Sequence, residues 1–235
     1  MRKTTFALAA VAALALPAFV QAQAADTRPG VAVLTFHSAA TQADLAPLGK
    51  GFQAMLINQL APNSRIRVVE RDQLQRILDE QKLGTSGQLD PTALVRVGKL
   101  VGARYMVDGT FITVGSDMVV TVKAFDTETS QIVFTDGSIK GKTADAISLI
   151  IQAANLTNTK LNLPQLEPSS APAREAAATT EKTKKVPFQA LLLYSRAVDA
   201  EDKGQKADAL TLYKQAVAQF PEYDAAKKAV DKLSK

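Results

Sequence analysis

Tyr105-Met106-Val107-Asp108-Gly109-Thr110-Phe111-Ile112-Thr113-Val114-Gly115-Ser116-Asp117-Met118-Val119-Val120-Thr121-Val122-Lys123-Ala124-Phe125 decides the fold. β-Branched and aromatic residues dominate it, the composition of a half-buried pleated surface. Gly115-Ser116-Asp117 is a tight turn, which predicts strands over residues 105–114 and 118–125. Residues 132–139 repeat the composition after a longer turn at 126–130. Connections this short join antiparallel neighbours, so three consecutive strands form a meander.

Upstream of the meander, strands alternate with helices. Val31-Ala32-Val33-Leu34-Thr35-Phe36 follows Pro29-Gly30 and reads as a short buried strand. Leu48, Phe52, Met55, Leu56 and Leu60 recur at helical spacing until Pro62-Asn63 stops them. Residues 66–69 predict a second strand. The next helix carries Leu74, Ile77 and Leu78 on one face, and residues 84–88 predict a loop. Asp90 is placed to cap a further helix with Pro91 at its first position; Leu94, Val97 and Val101 form its inner stripe and Gly102 its end. Beyond the meander, residues 143–160 return to helix with Ile147, Ile150 and Ala154 on one face. The order β-α-β-α-α-β-β-β-α predicts an α/β (α+β) domain over residues 25–160, a mixed sheet with flanking helices.

The beginning of the chain reads differently. Arg2 and Lys3 precede an apolar stretch from Phe6 to Val20, and small-x-small sites follow at Val20-Gln21-Ala22 and Ala22-Gln23-Ala24. That is the grammar of a secretory signal peptide over residues 1–24. Pro17 and Gln21 cut the apolar stretch short of a membrane span. The expectation is a cleaved, exported, soluble protein of a periplasm. The chain has no cysteine, which excludes disulfides, thiolate metal sites and a lipid anchor on a cysteine after the signal. Its formal charge of +5 includes Arg2 and Lys3 and is spread along the chain. Nucleic acid is therefore not an expected partner.

After the α/β domain the composition shifts. Residues 161–187 hold Pro164, Pro168, Pro172 and Pro187 among Ala, Ser, Thr, Glu and Lys, which predicts a flexible linker. Residues 188–235 are helical in pattern. Ala209, Leu210, Tyr213, Ala216 and Pro221 take the spacing of the second helix of a tetratricopeptide unit, with Gly204 at the preceding turn. Leu193, Ala197 and Ala200 line the first helix, and residues 223–233 supply a capping third. A unit this small cannot bury a core alone, so it is expected to lean on a partner, a second copy or the main domain.

Chemistry-bearing groups are sparse. The one histidine, His37, stands beside Ser38 at the end of the first strand, without a nucleophile elbow or an orienting acid in sequence. Asp126, Glu128 and Asp136 lie near one hairpin but lack the spacing of a calcium loop and read as solvated turn charges. Gly49, Gly51, Gly84 and Gly87 compose no phosphate-binding fingerprint. Glu70-Arg71 is placed to anchor the following helix electrostatically. No catalytic residue, metal site or cofactor is expected.

The segment Val68-Val69-Glu70-Arg71-Asp72-Gln73-Leu74-Gln75-Arg76-Ile77-Leu78-Asp79-Glu80-Gln81 resembles the hallmark of the CsgG family, the curli production assembly and transport component. Gly102-Ala103-Arg104-Tyr105-Met106-Val107-Asp108-Gly109-Thr110 and Val120-Thr121-Val122-Lys123-Ala124-Phe125-Asp126-Thr127 resemble its later strands. The resemblance covers residues 31–142 and extends to TolB amino-terminal-like domains and, more distantly, penicillin-binding-protein activators. It implies an envelope location, a non-enzymatic role and binding through protein surface. Three departures stand out. The anchoring cysteine of the family's lipoproteins is missing, neither the turn at 115–117 nor the passage into a helix at 141–144 has room for membrane-spanning strands, and Ser130 stands where the family places glycine.

The combined expectation is a periplasmic binding or scaffold protein of an envelope or secretion assembly. The α/β domain and the helical hairpin would make separate contacts with envelope proteins or a second copy. Membrane association would come only through a partner. The rival expectation is a small-ligand carrier or hydrolase with a pocket near His37.

Overall fold

The predicted meander is present as three long strands, β4 (Tyr105–Val114), β5 (Asp117–Asp126) and β6 (Gln131–Lys142), paired antiparallel. They belong to a computed structural model that describes residues 26–39, 43–83 and 89–234. The expected signal peptide and the expected loop at 84–88 lie outside the described residues. Gly115 turns the first hairpin at φ 60°, and Ser130 holds φ 59° in the second, the left-handed geometry for which glycine is the usual choice.

Two short strands, β1 (Gly30–Val33) and β3 (Arg67–Val68), complete the order β3-β1-β4-β5-β6, with β1 parallel to both neighbours. The first strand is not the single run expected over residues 31–36. The Phe36 N–H turns to the Gly49 carbonyl at 3.3 Å, which takes the chain off the ladder. It rejoins β4 as β2 (His37–Ser38), with His37 opposite Thr110.

Both faces of the sheet carry helices. On one lie α1 (Leu48–Leu60) and α4 (Ala146–Lys160), in one apolar cluster with Val107, Phe111, Val120 and Val122. On the other, α2 (Arg71–Glu80) and α3 (Pro91–Val101) pack on Ala32, Leu34, Met106 and Phe125. The Asp90 carboxylate accepts from the Ala93 N–H at 2.9 Å, and Gly102 ends α3 at φ 65°, the two caps expected from sequence.

Residues 161–187 are not the flexible linker that their composition predicts. Leu161, Leu163 and Val186 are buried in the main core, pinning both ends. Between them runs α5 (Ala171–Lys184), capped by the Ser170 hydroxyl, which accepts from the Ala173 N–H at 3.2 Å. The Thr180 hydroxyl donates to the Gln59 side chain at 2.8 Å, and Asn63 donates to the Pro164 carbonyl at 2.9 Å. Order here comes from polar contacts and pinned ends, since no side chain of α5 is buried.

The last three helices are α6 (Phe188–Asp202), α7 (Lys206–Gln219) and α8 (Asp224–Leu233). Ala197, Ala200, Ala209, Tyr213 and Ala216 are buried at their contacts. Tyr194 packs on Tyr213 and Tyr223, with ring centroids 5.5 and 5.2 Å apart. This unit is no separate bead, because α6 lies on the outer side of α1 within the same apolar cluster as the sheet. A Cβ on Gly51 would sit 1.9 Å from the Ser195 hydroxyl, so the glycine allows the close approach. Helix α1 is therefore a middle layer, covered by the sheet on one side and by α6 on the other. Among the described residues no helix is long and apolar enough to cross a membrane.

Candidate interaction site

Side chains alternate across a strand, so β4 sends Val107 and Phe111 toward α1 and α4 and sends Asp108, Thr110, Ile112 and Val114 to the opposite face. Helices α2 and α3 pack over one end of that second face. At the other end Ile112 is 38% and Val114 69% exposed, an unusual exposure for β-branched residues on a central strand. Val119, Thr121 and Lys123 stand opposite them on β5, each half-buried, and Lys140 and Thr135 extend the surface onto β6.

One buried ion pair sits within this surface, and an exposed one, Asp117 with Lys142 at 2.6 Å, lies at its end. Asp108 is 5% exposed, accepts from the Gly109 N–H at 2.7 Å and lies 3.2 Å from the Lys123 ammonium directly across the strands. The pair satisfies the carboxylate that β4 would otherwise bury unpaired. The result is a flat face of threonine, valine and isoleucine around a neutralised polar centre. Such a surface suits protein contact better than chemistry on a bound molecule.

Of the remaining residues singled out in sequence, the three acids and Arg71 have structural partners. His37 and Ser38 are successive strand residues, which sends their side chains to opposite faces and denies them a shared proton. Asp126 accepts from the backbone N–H groups of Glu128 and Thr129 at 2.8 and 3.2 Å and from Arg104 at 3.2 Å. Burial works to raise its carboxyl pKa, but these donors outweigh burial and hold it below the usual carboxylate range. Glu128 pairs with Arg104 at 3.3 Å, and Asp136, which lies within β6 and not in a turn, accepts from the Ser138 N–H at 2.9 Å. Among the described residues no group of histidine and carboxylate side chains is arranged to hold a metal ion. Arg71 does not serve α2 alone as expected. It pairs with Asp72 at 3.0 Å and reaches Asp202 at the end of α6.

A cavity of about 610 Å³ lies at the start of β1 and β4, lined by Arg28, Lys99, Arg104, Tyr105, Glu128 and Asn162 among others. His37 is at the opposite end of the same strand run and lines neither this cavity nor a second of about 360 Å³ between α1, α5 and the α7–α8 turn. The larger cavity opens at the N-terminal ends of parallel strands, whereas ligand sites of open α/β sheets gather at the C-terminal ends. Two of its cations are already engaged, Arg28 by Asp26 at 2.7 Å and Arg104 by Asp126.

Comparison with known proteins bears on the same domain. Residues 13–119 match the family model described as curli production assembly/transport component CsgG. Over that span the chain is similar to that family. The match ends inside β5, after the strand that carries Ile112 and Val114. No curated protein matches the chain. Similar solved structures include the LpoB C-terminal domain from Escherichia coli, at 16% identity over 46% of this chain and 78% of that one, with a TM-score of 0.38. TolB from Acinetobacter baumannii is 13% identical over 60% of this chain and 29% of its own, with a TM-score of 0.36. The PelC dodecamer from Paraburkholderia phytofirmans is 18% identical over 59% and 90%, with a TM-score of 0.35.

Proposed function

We propose that this protein is a non-enzymatic binding or scaffold protein of the cell envelope, exported to the periplasm, and that the bare end of the β4–β5–β6 face is its contact surface. The observation that carries this is the exposure of Ile112 and Val114 on a central strand of the CsgG-like domain. Exposed β-branched residues around a neutralised ion pair favour contact with another folded protein. The helical hairpin is assigned a different part from the one its pattern suggested. Its α6 face is occupied by α1, which takes that face out of contact with a partner.

A photo-crosslinking residue at Val114 or Thr121 should capture a defined envelope protein in periplasmic extracts. The same residue at Lys214 on α7, away from the face, should not. Equal capture at both positions, or capture only at Lys214, would move the contact surface off the sheet.

A further inference from the structure

A network of ion pairs joins α1 and α2 to the C-terminal helices. Lys50, in the first turn of α1 and 9% exposed, places its ammonium 2.9 Å from Asp199 and 2.8 Å from Asp202. Arg71, at the first turn of α2, takes the other oxygen of Asp202. On the rim, Lys232 of α8 bridges Asp72 at 2.6 Å and Glu201 at 3.1 Å, and the Tyr213 hydroxyl donates to Glu201 at 2.8 Å. Lys203 closes the group on Asp199 at 2.6 Å. Among the described residues of this seam, Lys50, Arg71, Lys203 and Lys232 face Asp72, Asp199, Glu201 and Asp202, so the charges balance.

We propose that Lys50 and Arg71 are the receptor for the C-terminal helical layer, fixing the register at which α6 closes over α1, and that the layer opens from this seam as one hinged cover.

The apolar contact between α6 and α1 is non-directional and tolerates a slip of one helical turn, about 5.4 Å. The carboxylates do not tolerate it. Asp199 and Asp202 stand about one turn apart on one side of α6 and converge on a single ammonium, so a one-turn slip would leave the Lys50 and Arg71 pair one carboxylate short. A buried ion network contributes little net stability against an apolar alternative, and setting register is its best-attested use. The hinge follows from the connection. Helix α5 buries no side chain and is held by the Gln59 contacts and by Lys182, 3.7 Å from Asp224. A segment of that kind opens at low cost.

The test is hydrogen exchange on the full chain and three variants, Asp202→Lys, Arg71→Glu and the two combined. Each single reversal should speed exchange in α6, α7, α8 and α1 by more than about tenfold, as expected when a buried partner is left unpaired. Strands β4–β6 should keep their protection, and the combined exchange of charges should restore part of what each single change loses. Asp202→Asn, which keeps the size and removes the charge, should move the same helices in the same direction if Asp202→Lys fails to fold. Unchanged exchange in Asp202→Asn, an equal rise in helices and strands, or no recovery in the combined variant would overturn the proposal.

Discussion

Helices α5 and α6 follow one another, have nearly equal lengths and differ in almost everything that matters for stability. Helix α5 is built from alanine, threonine, lysine and glutamate and buries no side chain. Helix α6 buries Leu191, Tyr194, Ala197 and Val198 along one side and shares a core with the sheet. Helix propensity is good in both, so the difference lies in packing. An apolar stripe makes a helix a layer of the core, and without one a helix becomes a strap held by its ends.

The sharpest way to break this contrast is to truncate α6. Leu191 is fully buried, and Leu191→Ala should cost about 2–5 kcal/mol through lost contacts and a cavity. Because the core is shared, heating should still give one unfolding transition at a lower midpoint. Two resolved transitions would restore the picture of independent domains. Ala197→Phe adds volume at a site with no room and should cost about 1–3 kcal/mol. Protection should fall in α6 and α1 together, and loss confined to residues 188–233 would contradict the shared layer.

A smaller effect appears only in alkali. Burial pushes the Tyr194 hydroxyl up to about 12 from an ordinary 10.0, and burial also drives Tyr213 and Tyr223 upward. A raised tyrosine pKa favours the neutral folded form, so its contribution is intact below pH 10 and declines as pH rises toward 12. Tyrosinate absorbance should therefore develop late and together with loss of the C-terminal helices. Full ionisation of the buried tyrosines near pH 10 with the fold intact would show that this cluster is open to solvent. The least effect is expected in the strap. Thr180→Ala removes one hydrogen bond to Gln59 and should change stability by less than about 1.5 kcal/mol. Protease cleavage within 164–187 should nevertheless quicken, and an unchanged rate would mean the polar contacts do not hold α5.

Much of the fold was legible because its signals are local. Runs of valine, isoleucine and threonine around Gly115 specify the β4–β5 hairpin, and Asp90, Pro91 and Gly102 mark both ends of α3. The strap was missed although Ser170 and Pro172 are a helix start signal, since an alanine-rich surface helix shows no apolar period. Strand β2 was illegible because two residues paired after a detour carry no pattern. The seam lies beyond any local reading, for Lys50, Arg71 and Asp202 meet across more than half the chain. The bare sheet face was present in the alternation of Thr110, Ile112 and Val114, yet alternation alone does not say whether a helix will cover them.

The outermost strand has a consequence of its own. Strand β6 slips register against β5 twice, between Val120 and Val122 and between Ala124 and Phe125, and its far half carries Lys140 and Lys142. A straight twelve-residue border would be an open template on which further chains could stack. The two kinks and the lysines spoil that template and disfavour growth of the sheet across this edge. A crowded solution of this protein should accordingly stay free of fibrils, even with Ile132 and Val133 at the border in contact with water.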